Sequence, residues 1–322
     1  MFPAPFRNVL VLTGPTGCGK TALGVELAEH LGAEIISMDS MAVYRGMDIG
    51  TAKPGPQPRR RVPHHLLDVL EPWESGSVAW WLGEAARCVR AIEGKGKRAL
   101  FVGGTPLYLK GLLYGLFDGP PANLDLRRRL SKEAQEAGCR ALHDRLARVD
   151  PAAAARLHAN DTRRIVRALE VWELTGRPIS AWQSQWQSEQ HHNSGPAQEN
   201  EITSSRPSAP PQVLWLDLPR AELYARINQR VKEMIDAGLV QEVRALRALP
   251  RPISREAAQA LGYKELLAFL DGQCTLDEAV LRIQTRSRNF AKRQLTWFRH
   301  LPECRPVTAE LTFPTWGLKM GS

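Results

Sequence analysis

The 322-residue sequence is poor in cysteine, and its cysteines form no recognisable set. The five are scattered along the chain, and none belongs to a C-x-x-C pair. This pattern argues against a disulfide framework and against a zinc site, and it is typical of a reducing compartment. No window holds the roughly 18 consecutive apolar residues of a membrane helix, and no apolar signal-peptide core is present. The sequence therefore predicts a cytoplasmic protein with no membrane partner.

Acidic residues are also in the minority. The chain has 34 Asp and Glu against 43 Lys and Arg, a net charge of +9. An excess of this sign suggests a polyanionic partner such as nucleic acid, although a solvated basic surface would give the same total. The position of the charge is therefore more informative than its sum.

One segment near the C-terminus has no acidic residue at all. Residues 279–302 contain six Lys and Arg and no Asp or Glu. On a helix, Arg282, Arg286 and Arg293 would share one stripe, which favours contact with a nucleic-acid backbone. The apolar residues predicted for another face are Leu281, Ala291, Leu295 and Phe298.

Short apolar runs alternate with amphipathic segments over the first hundred residues. Residues 8–14, 33–40 and 98–105 are predicted strands, and residues 21–32 and 78–96 are predicted helices. This alternation indicates βαβ units and an α/β fold with a parallel sheet flanked by helices. Ligands bind such sheets at the carboxyl ends of the strands.

The middle of the chain has a different character. Residues 117–183 contain four predicted helices and no predicted strand, and residues 187–212 are polar and proline-rich, which predicts a mobile loop. A strand at 213–219 resumes the sheet, and the remainder is predicted to be helical. The predicted domains are an α/β core of residues 1–116 and 201–322 and an all-helical insertion of residues 117–200.

A phosphate-binding motif follows the first strand. The sequence GPTGCGKT fits G-x-x-x-x-G-K-[ST] and lies between a strand and a helix, where converging backbone N–H groups can hold phosphate oxygens. Lys20 would neutralise phosphate charge, and the Thr21 hydroxyl would ligate Mg²⁺. The predicted diphosphate- or nucleotide-binding residues are Gly14, Pro15, Thr16, Gly17, Cys18, Gly19, Lys20 and Thr21.

The companion motifs of nucleotide-driven motors and switches are missing. The strand at 98–105 ends in glycines rather than a Walker B carboxylate, and no N-K-x-D guanine-reading motif occurs. Asp217 ends a later strand and is interpreted as structural. Asp39 follows the second strand and has two interpretations: a base that accepts a proton from a nucleophile, or a turn-capping residue.

Seven stretches together resemble the tRNA dimethylallyltransferase family, also called tRNA isopentenyltransferases or IPP transferases. The stretches, in chain order between about residues 8 and 300, are GPTGCGKT, IISMDSMAVYRGMDIGTAKP, PHHLLDV, VGGTPLYLKGLL, DTRRIVRALEV, ALGYKEL and AKRQLTWFR. The resemblance implies a P-loop NTPase-like core. It also implies transfer of a dimethylallyl group from dimethylallyl diphosphate to N6 of adenosine 37 in tRNAs that read codons beginning with U.

The resemblance also implies roles for individual residues. Asp39 would take the N6 proton, Thr105 would lie close to the target base, and Mg²⁺ would be the cofactor. Ala42 stands where many members have Gln, so one polar contact to the RNA would be absent or replaced. The residues that the resemblance implies for contact with the tRNA are Asp39, Ser40, Met41, Ala42, Thr105, Arg127, Arg163, Arg164, Ile165, Val166, Arg167, Gln259, Ala260, Leu261, Gly262, Tyr263 and Lys264. The basic stripe adds Arg286 and Arg293 as expected RNA contacts.

Two other classes of function remain open from the residues alone. A small-molecule kinase would use ATP as donor and Asp39 to activate a hydroxyl, but it has no use for the acid-free basic helix. A nucleotide-gated RNA-binding protein would not explain a carboxylate opposite the phosphate loop. The prediction is a monomeric transferase that binds tRNA and dimethylallyl diphosphate.

Overall fold

The computed structural model describes residue 6 and residues 9–117, 119–183 and 211–308. The predicted loop at 187–212 lies, up to residue 210, outside the described residues. The strands are β1 (Leu10–Thr13), β2 (Ala33–Ser37), β3 (His64–His65), β4 (Arg98–Val102), β5 (Gln212–Leu216) and β6 (Cys304–Val307). The helices are α1 (Lys20–Leu31), α2 (Pro56–Arg61), α3 (Val78–Glu93), α4 (Pro106–Tyr114), α5 (Leu124–Glu136), α6 (Cys139–Val149), α7 (Pro151–Arg156), α8 (Thr162–Thr175), α9 (Ile179–Gln183), α10 (Arg220–Asp236), α11 (Leu239–Arg247), α12 (Arg255–Ala258), α13 (Tyr263–Leu270) and α14 (Leu276–His300).

The described strands form one parallel sheet in the order β3-β2-β4-β1-β5-β6. The central strand β1 is buried along its whole length, as the run LVLT requires, and lies between β4 and β5. All pairs are parallel, so the carboxyl ends of β1, β2 and β4 meet at one edge of the sheet. The predicted α/β fold, a P-loop NTPase-like parallel sheet flanked by helices, is confirmed.

The two outer strands were not predicted. The sequence analysis assigned no strand at His64–His65, and it predicted only helices after residue 219, where the structure has β6. Both strands are short and lie at the edges of the sheet. The run CRPV contains a proline, which cannot donate to a ladder and is tolerated at an edge. Neither strand has the length or apolar alternation that sequence patterns detect.

The chain divides into two compact units. Among the described residues, those within 116–204 form the helical unit, and those within 3–115 and 205–322 form the sheet unit. The core of the helical unit is built from α5 to α8 and includes Leu130, Leu142 and Leu169, all fully buried. Each helix contributes one apolar face, as expected for an amphipathic bundle.

Helix α14 buries one face, but not the whole face that was predicted. Ala291, Leu295 and Phe298 are buried, whereas Leu281 is 62% exposed, so its assignment to the apolar face was wrong. At 100° per residue, position 281 lies close to Arg288 at i+7 and 160° from its buried neighbours Ala279 and Ile283, so at this end of the helix it faces away from the core. The side chains of Arg282 and Arg293 are exposed, as the basic stripe requires.

Candidate active site

The phosphate loop joins β1 to α1 at the carboxyl edge of the sheet. α1 begins at Lys20, directly after the glycine-rich turn, so the N–H groups of its first turn point towards the loop. Lys20 Nζ donates to Pro15 O at 3.2 Å, and Cys18 N donates to the same oxygen at 3.3 Å. The loop therefore folds back around the lysine, in an arrangement suited to holding a phosphate group.

Asp39 lies two residues beyond the end of β2, in a turn that its own side chain stabilises. Its Oδ1 accepts from Met41 N at 2.8 Å and from Ala42 N at 3.3 Å. Among the described residues, no hydrogen bond to Oδ2 is formed, so this oxygen can accept a proton while Oδ1 holds the turn. The two interpretations of Asp39 are therefore compatible, because each uses a different oxygen of the carboxylate.

Thr105 joins the end of β4 to the Asp39 turn. Its Oγ1 accepts from Ser40 N at 3.0 Å, and its backbone N–H donates to Met38 O at 3.3 Å. The approach is close: a Cβ built on Gly103 would lie 2.2 Å from Met38 O, so no side chain fits there. The structure thus brings Asp39 and Thr105, both predicted from the sequence, into one turn cluster.

The same cluster borders the phosphate loop. A Cβ built on Gly104 would lie 2.9 Å from Gly14 O and 3.3 Å from Lys20 Cε. The buried amide of Gln294 bridges the two segments, since its Oε1 accepts from Thr16 N at 2.9 Å and its Nε2 donates to Gly104 O at 2.5 Å. The sequence analysis missed Gln294, which lies 190 positions after Gly104 and follows one member of the basic stripe.

Arg230 is a second site residue that the sequence analysis missed. Burial lowers the pKa of its guanidinium, while the nearby Asp39 and Cys18 side chains act in the opposite direction. No hydrogen bond joins its guanidinium to another described residue. A half-buried cation beside both the phosphate loop and Asp39 is suited to an anionic ligand. In the sequence it is one of several arginines in an amphipathic helix, and nothing distinguishes it.

Two aromatic rings lie next to the Asp39 turn. Trp81 and Tyr108 stack with their centroids 4.4 Å apart, and the Trp81 indole donates to Ser37 O at 3.0 Å. Burial, with smaller contributions from Asp39 and Tyr44, raises the pKa of Tyr108. This side of the site is therefore apolar and poor in water.

The predicted RNA-contacting residues of the helical unit have different environments. Arg127 donates twice to the buried carboxylate of Glu170, and Arg167 binds the same carboxylate at 2.6 Å. Hydrogen bonds from both arginines, together with Asn123 N, outweigh burial and lower the pKa of Glu170. The side chains of Ile165 and Val166 are in the core, whereas those of Arg163 and Arg164 are exposed.

The predicted residues at 259–264 are partly structural. Gln259 and Lys264 are exposed, whereas Ala260, Gly262 and Tyr263 are buried. The Tyr263 hydroxyl donates to Glu242 Oε1 at 2.5 Å. The Glu242 carboxylate also accepts from three consecutive backbone N–H groups, those of residues 48, 49 and 50. Tyr263 and Glu242 thus hold the loop that follows the Asp39 turn.

The remaining predicted RNA contacts are on α14 and in the Asp39 turn. Arg286 is half-buried and forms an ion pair with Glu265, whereas Arg293 is exposed and lies over the Phe290 ring at 5.7 Å. Ala42 is buried. Leu261, Ser40 and Met41 are partly exposed.

The described residues contain no group of three or more His, Cys, Asp and Glu side chains that could hold a metal ion. Thr21 fits the different kind of metal site that the motif implies. It follows Lys20 in the first turn of α1 and is exposed, and Mg²⁺ commonly combines one protein oxygen with substrate phosphate oxygens and water. Within the described residues, no helix is long and apolar enough to cross a membrane.

Comparisons with known proteins show the family to which the chain is similar. The IPP transferase family model matches residues 42–301, and the isopentenyl transferase model matches residues 7–62. The chain is 45% identical over 306 residues to a tRNA dimethylallyltransferase of Geobacter sulfurreducens, covering 95% of this chain and 93% of that protein. It is also 45% identical to a tRNA dimethylallyltransferase of Shouchella clausii, covering 91% and 88%.

Solved structures extend the comparison to the fold. A tRNA isopentenylpyrophosphate transferase of Bacillus halodurans matches with a TM-score of 0.65 and 37% identity, over 97% of this chain and 93% of that one. A eukaryotic dimethylallyltransferase, described as acting on tRNA, matches with a TM-score of 0.70 and 27% identity, over 94% and 75%. Both similarities span the sheet unit and the helical unit.

Proposed function

The chain belongs to the IPP transferase family, and we propose that it transfers a dimethylallyl group from dimethylallyl diphosphate to N6 of adenosine 37 in tRNAs that read codons beginning with U. One observation carries the proposal. The phosphate loop and the Asp39–Thr105 cluster lie at the same edge of the sheet, with the Gly104 backbone next to both Gly14 and Lys20. A phosphate group and an acceptor can therefore meet there.

The leaving diphosphate would be held by the phosphate loop. Its backbone N–H groups and Lys20 would stabilise the negative charge that develops as the allylic carbon departs. Arg230, half-buried and near Cys18 of the loop, would add a second cation. Mg²⁺ held through Thr21 would neutralise further charge on the diphosphate oxygens.

The acceptor would be bound opposite the loop. Asp39 Oδ2 would take the proton from N6, while the turn bonds to Oδ1 fix the direction of the carboxylate. Thr105, hydrogen-bonded to Ser40, would lie beside the base. Trp81 and Tyr108 would keep water away from the carbon, so that adenine rather than water captures it.

The tRNA would be bound through basic side chains in both units. Arg293 of the exposed α14 stripe and the exposed Arg163 and Arg164 are suited to phosphate contacts. Backbone contacts of this kind would offset the cost of moving the target base out of its stack, which is a few kcal/mol. The protein would act as a monomer in the cytoplasm.

Prenyl transfer is favoured over the kinase alternative by the relatives, which are named as a tRNA dimethylallyltransferase and a tRNA isopentenylpyrophosphate transferase. The test is an incubation with dimethylallyl diphosphate, Mg²⁺ and unmodified tRNA. Diphosphate should be released, and mass spectrometry of the nucleosides should show one adenosine heavier by a C5H8 unit. Turnover of ATP with no such adduct would contradict the proposal.

A further inference from the structure

Gln294 is a buried polar side chain with both ends of its amide engaged. It is 2% exposed and belongs to α14, directly after the exposed Arg293. Oε1 accepts from Thr16 N at 2.9 Å and Nε2 donates to Gly104 O at 2.5 Å. A backbone N–H can only donate and a backbone carbonyl can only accept, so these partners fix the orientation of the amide.

The two backbone groups belong to the two halves of the site. Thr16 is in the phosphate loop, and Gly104 directly precedes Thr105. At the ends of strands β1 and β4, two hydrogen bonds join the same segments: Gly103 N donates to Leu12 O at 3.2 Å, and Thr13 Oγ1 donates to Gly103 O at 2.7 Å. Beyond the strand ends the sheet ladder stops, and the Gln294 amide makes the next connection between the two segments.

We propose that Gln294 is a positioning residue that sets the spacing between the phosphate loop and the Thr105 turn. The inference rests on the proposed function, since this spacing separates the leaving diphosphate from the acceptor base. Bond formation requires the reacting atoms at near-contact distance, and a misplacement of about 1 Å can cost on the order of 100-fold in rate. An amide is suited to the task because it donates and accepts at once.

Replacement of the amide tests the role. Gln294→Met keeps the length of the side chain and removes both hydrogen bonds, so kcat should fall by about 10- to 100-fold. The KM for tRNA should stay close to that of the unchanged protein, because Gln294 is buried. Gln284→Met is the matched control: Gln284 is on the same helix and donates to Asn228 O at 3.2 Å.

Comparison with the control separates positioning from general stability. Gln294→Met loses two hydrogen bonds of a buried amide and Gln284→Met loses one of a half-buried amide, so the midpoint of thermal unfolding should fall further for Gln294→Met, and the rates are compared at a temperature where both variants are folded. Only Gln294→Met should lower the rate constant of transfer, measured in single-turnover experiments at saturating dimethylallyl diphosphate, and with it kcat. A kcat loss no larger than that of Gln284→Met would overturn the proposal.

A second variant of Gln294 tests the proposal even if Gln294→Met does not fold. Gln294→Glu keeps the shape of the side chain and the acceptor for Thr16 N–H, but at neutral pH it cannot donate to Gly104 O. It also brings negative charge next to the diphosphate, so kcat should fall and the KM for dimethylallyl diphosphate should rise. Unchanged values for both would overturn the proposal. The proposed function fails separately, if the unchanged protein forms no prenylated adenosine.

Discussion

Two arginines of the helical unit share one buried carboxylate, whereas two arginines of α14 in the sheet unit are exposed and a third, Arg286, pairs with the buried Glu265. Arg127 and Arg167 both bind Glu170, which is fully buried. Arg282 and Arg293 are exposed on a helix with no acidic residue from 279 onwards. Both regions contain clustered arginines in the sequence, and clustering alone does not distinguish an internal ion pair from a nucleic-acid contact.

The difference has a physical origin. A buried carboxylate is costly unless cations and hydrogen-bond donors surround it. The Glu170 carboxylate accepts hydrogen bonds from Arg127, Arg167 and Asn123 N. Those two arginines therefore stabilise the helical unit, and their contact with RNA stays a prediction. In contrast, the residues proposed to hold the diphosphate and to take the N6 proton all belong to the sheet unit. The comparison can be tested by changing matched residues in the two units.

The largest effect is expected from a pair of aspartates that both hold a turn. Asp39 accepts from Met41 N, and Asp161 accepts from Arg164 N at 3.3 Å. Asparagine keeps this acceptor but is no base, so Asp39→Asn should lower kcat by about 1,000-fold. Asp161→Asn should change the rate of transfer little. Rapid-quench measurement of tRNA prenylation checks both, and an unchanged rate for Asp39→Asn would make Asp39 only a cap.

The next effect concerns the stability of the helical unit. Glu170→Gln removes the charge that two arginines surround, and breaking such a buried pair costs about 3–5 kcal/mol of unfolding free energy. Glu136→Gln is the control, because Glu136 is 65% exposed and its bond to Lys132 is 3.5 Å long. Urea unfolding, with hydrogen exchange of helices α5 and α8, measures the difference. Equal midpoints for the two variants would contradict the role of Glu170.

RNA binding should respond to the exposed arginines of the sheet unit. Arg293→Ala should weaken tRNA binding and lower the slope of log affinity against log salt by about one. The control in the helical unit is Arg128→Ala: Arg128 is 78% exposed and pairs with Asp125 on the same helix. That variant should keep both the affinity and the slope. Binding titrations at several salt concentrations measure both the affinity and the slope. A similar loss of tRNA affinity in the two variants would contradict the distinction between these two arginines.

The sequence predicted those parts of the site that depend on strand ends. Asp39 and the phosphate loop were predicted because they follow apolar runs and parallel strands bring their carboxyl ends together, whereas Thr105 was named only by the family resemblance. Gln294 and Arg230 were missed because their partners lie far away in the chain, and their own segments show only amphipathic helices. Tyr263 appeared in a recognisable motif, but its contact with Glu242 depends on packing that no local pattern records.

Glu34 in the sheet unit is the counterpart of Glu170, and it gives the smallest expected effect. Burial raises the pKa of Glu34, but hydrogen bonds from His65, Lys97 and Lys95 outweigh this and lower it from 4.5 to about 2. A lowered folded-state pKa stabilises the protein above pH 4.5, and this contribution is lost as the pH falls towards 2. By pH 4 the loss should be about 1 kcal/mol. Urea unfolding at pH 7 and pH 4 measures it, and Glu34→Gln should destabilise the protein less at pH 4 than at pH 7. The same cost at both values would mean that the carboxylate of Glu34 does not contribute through its charge.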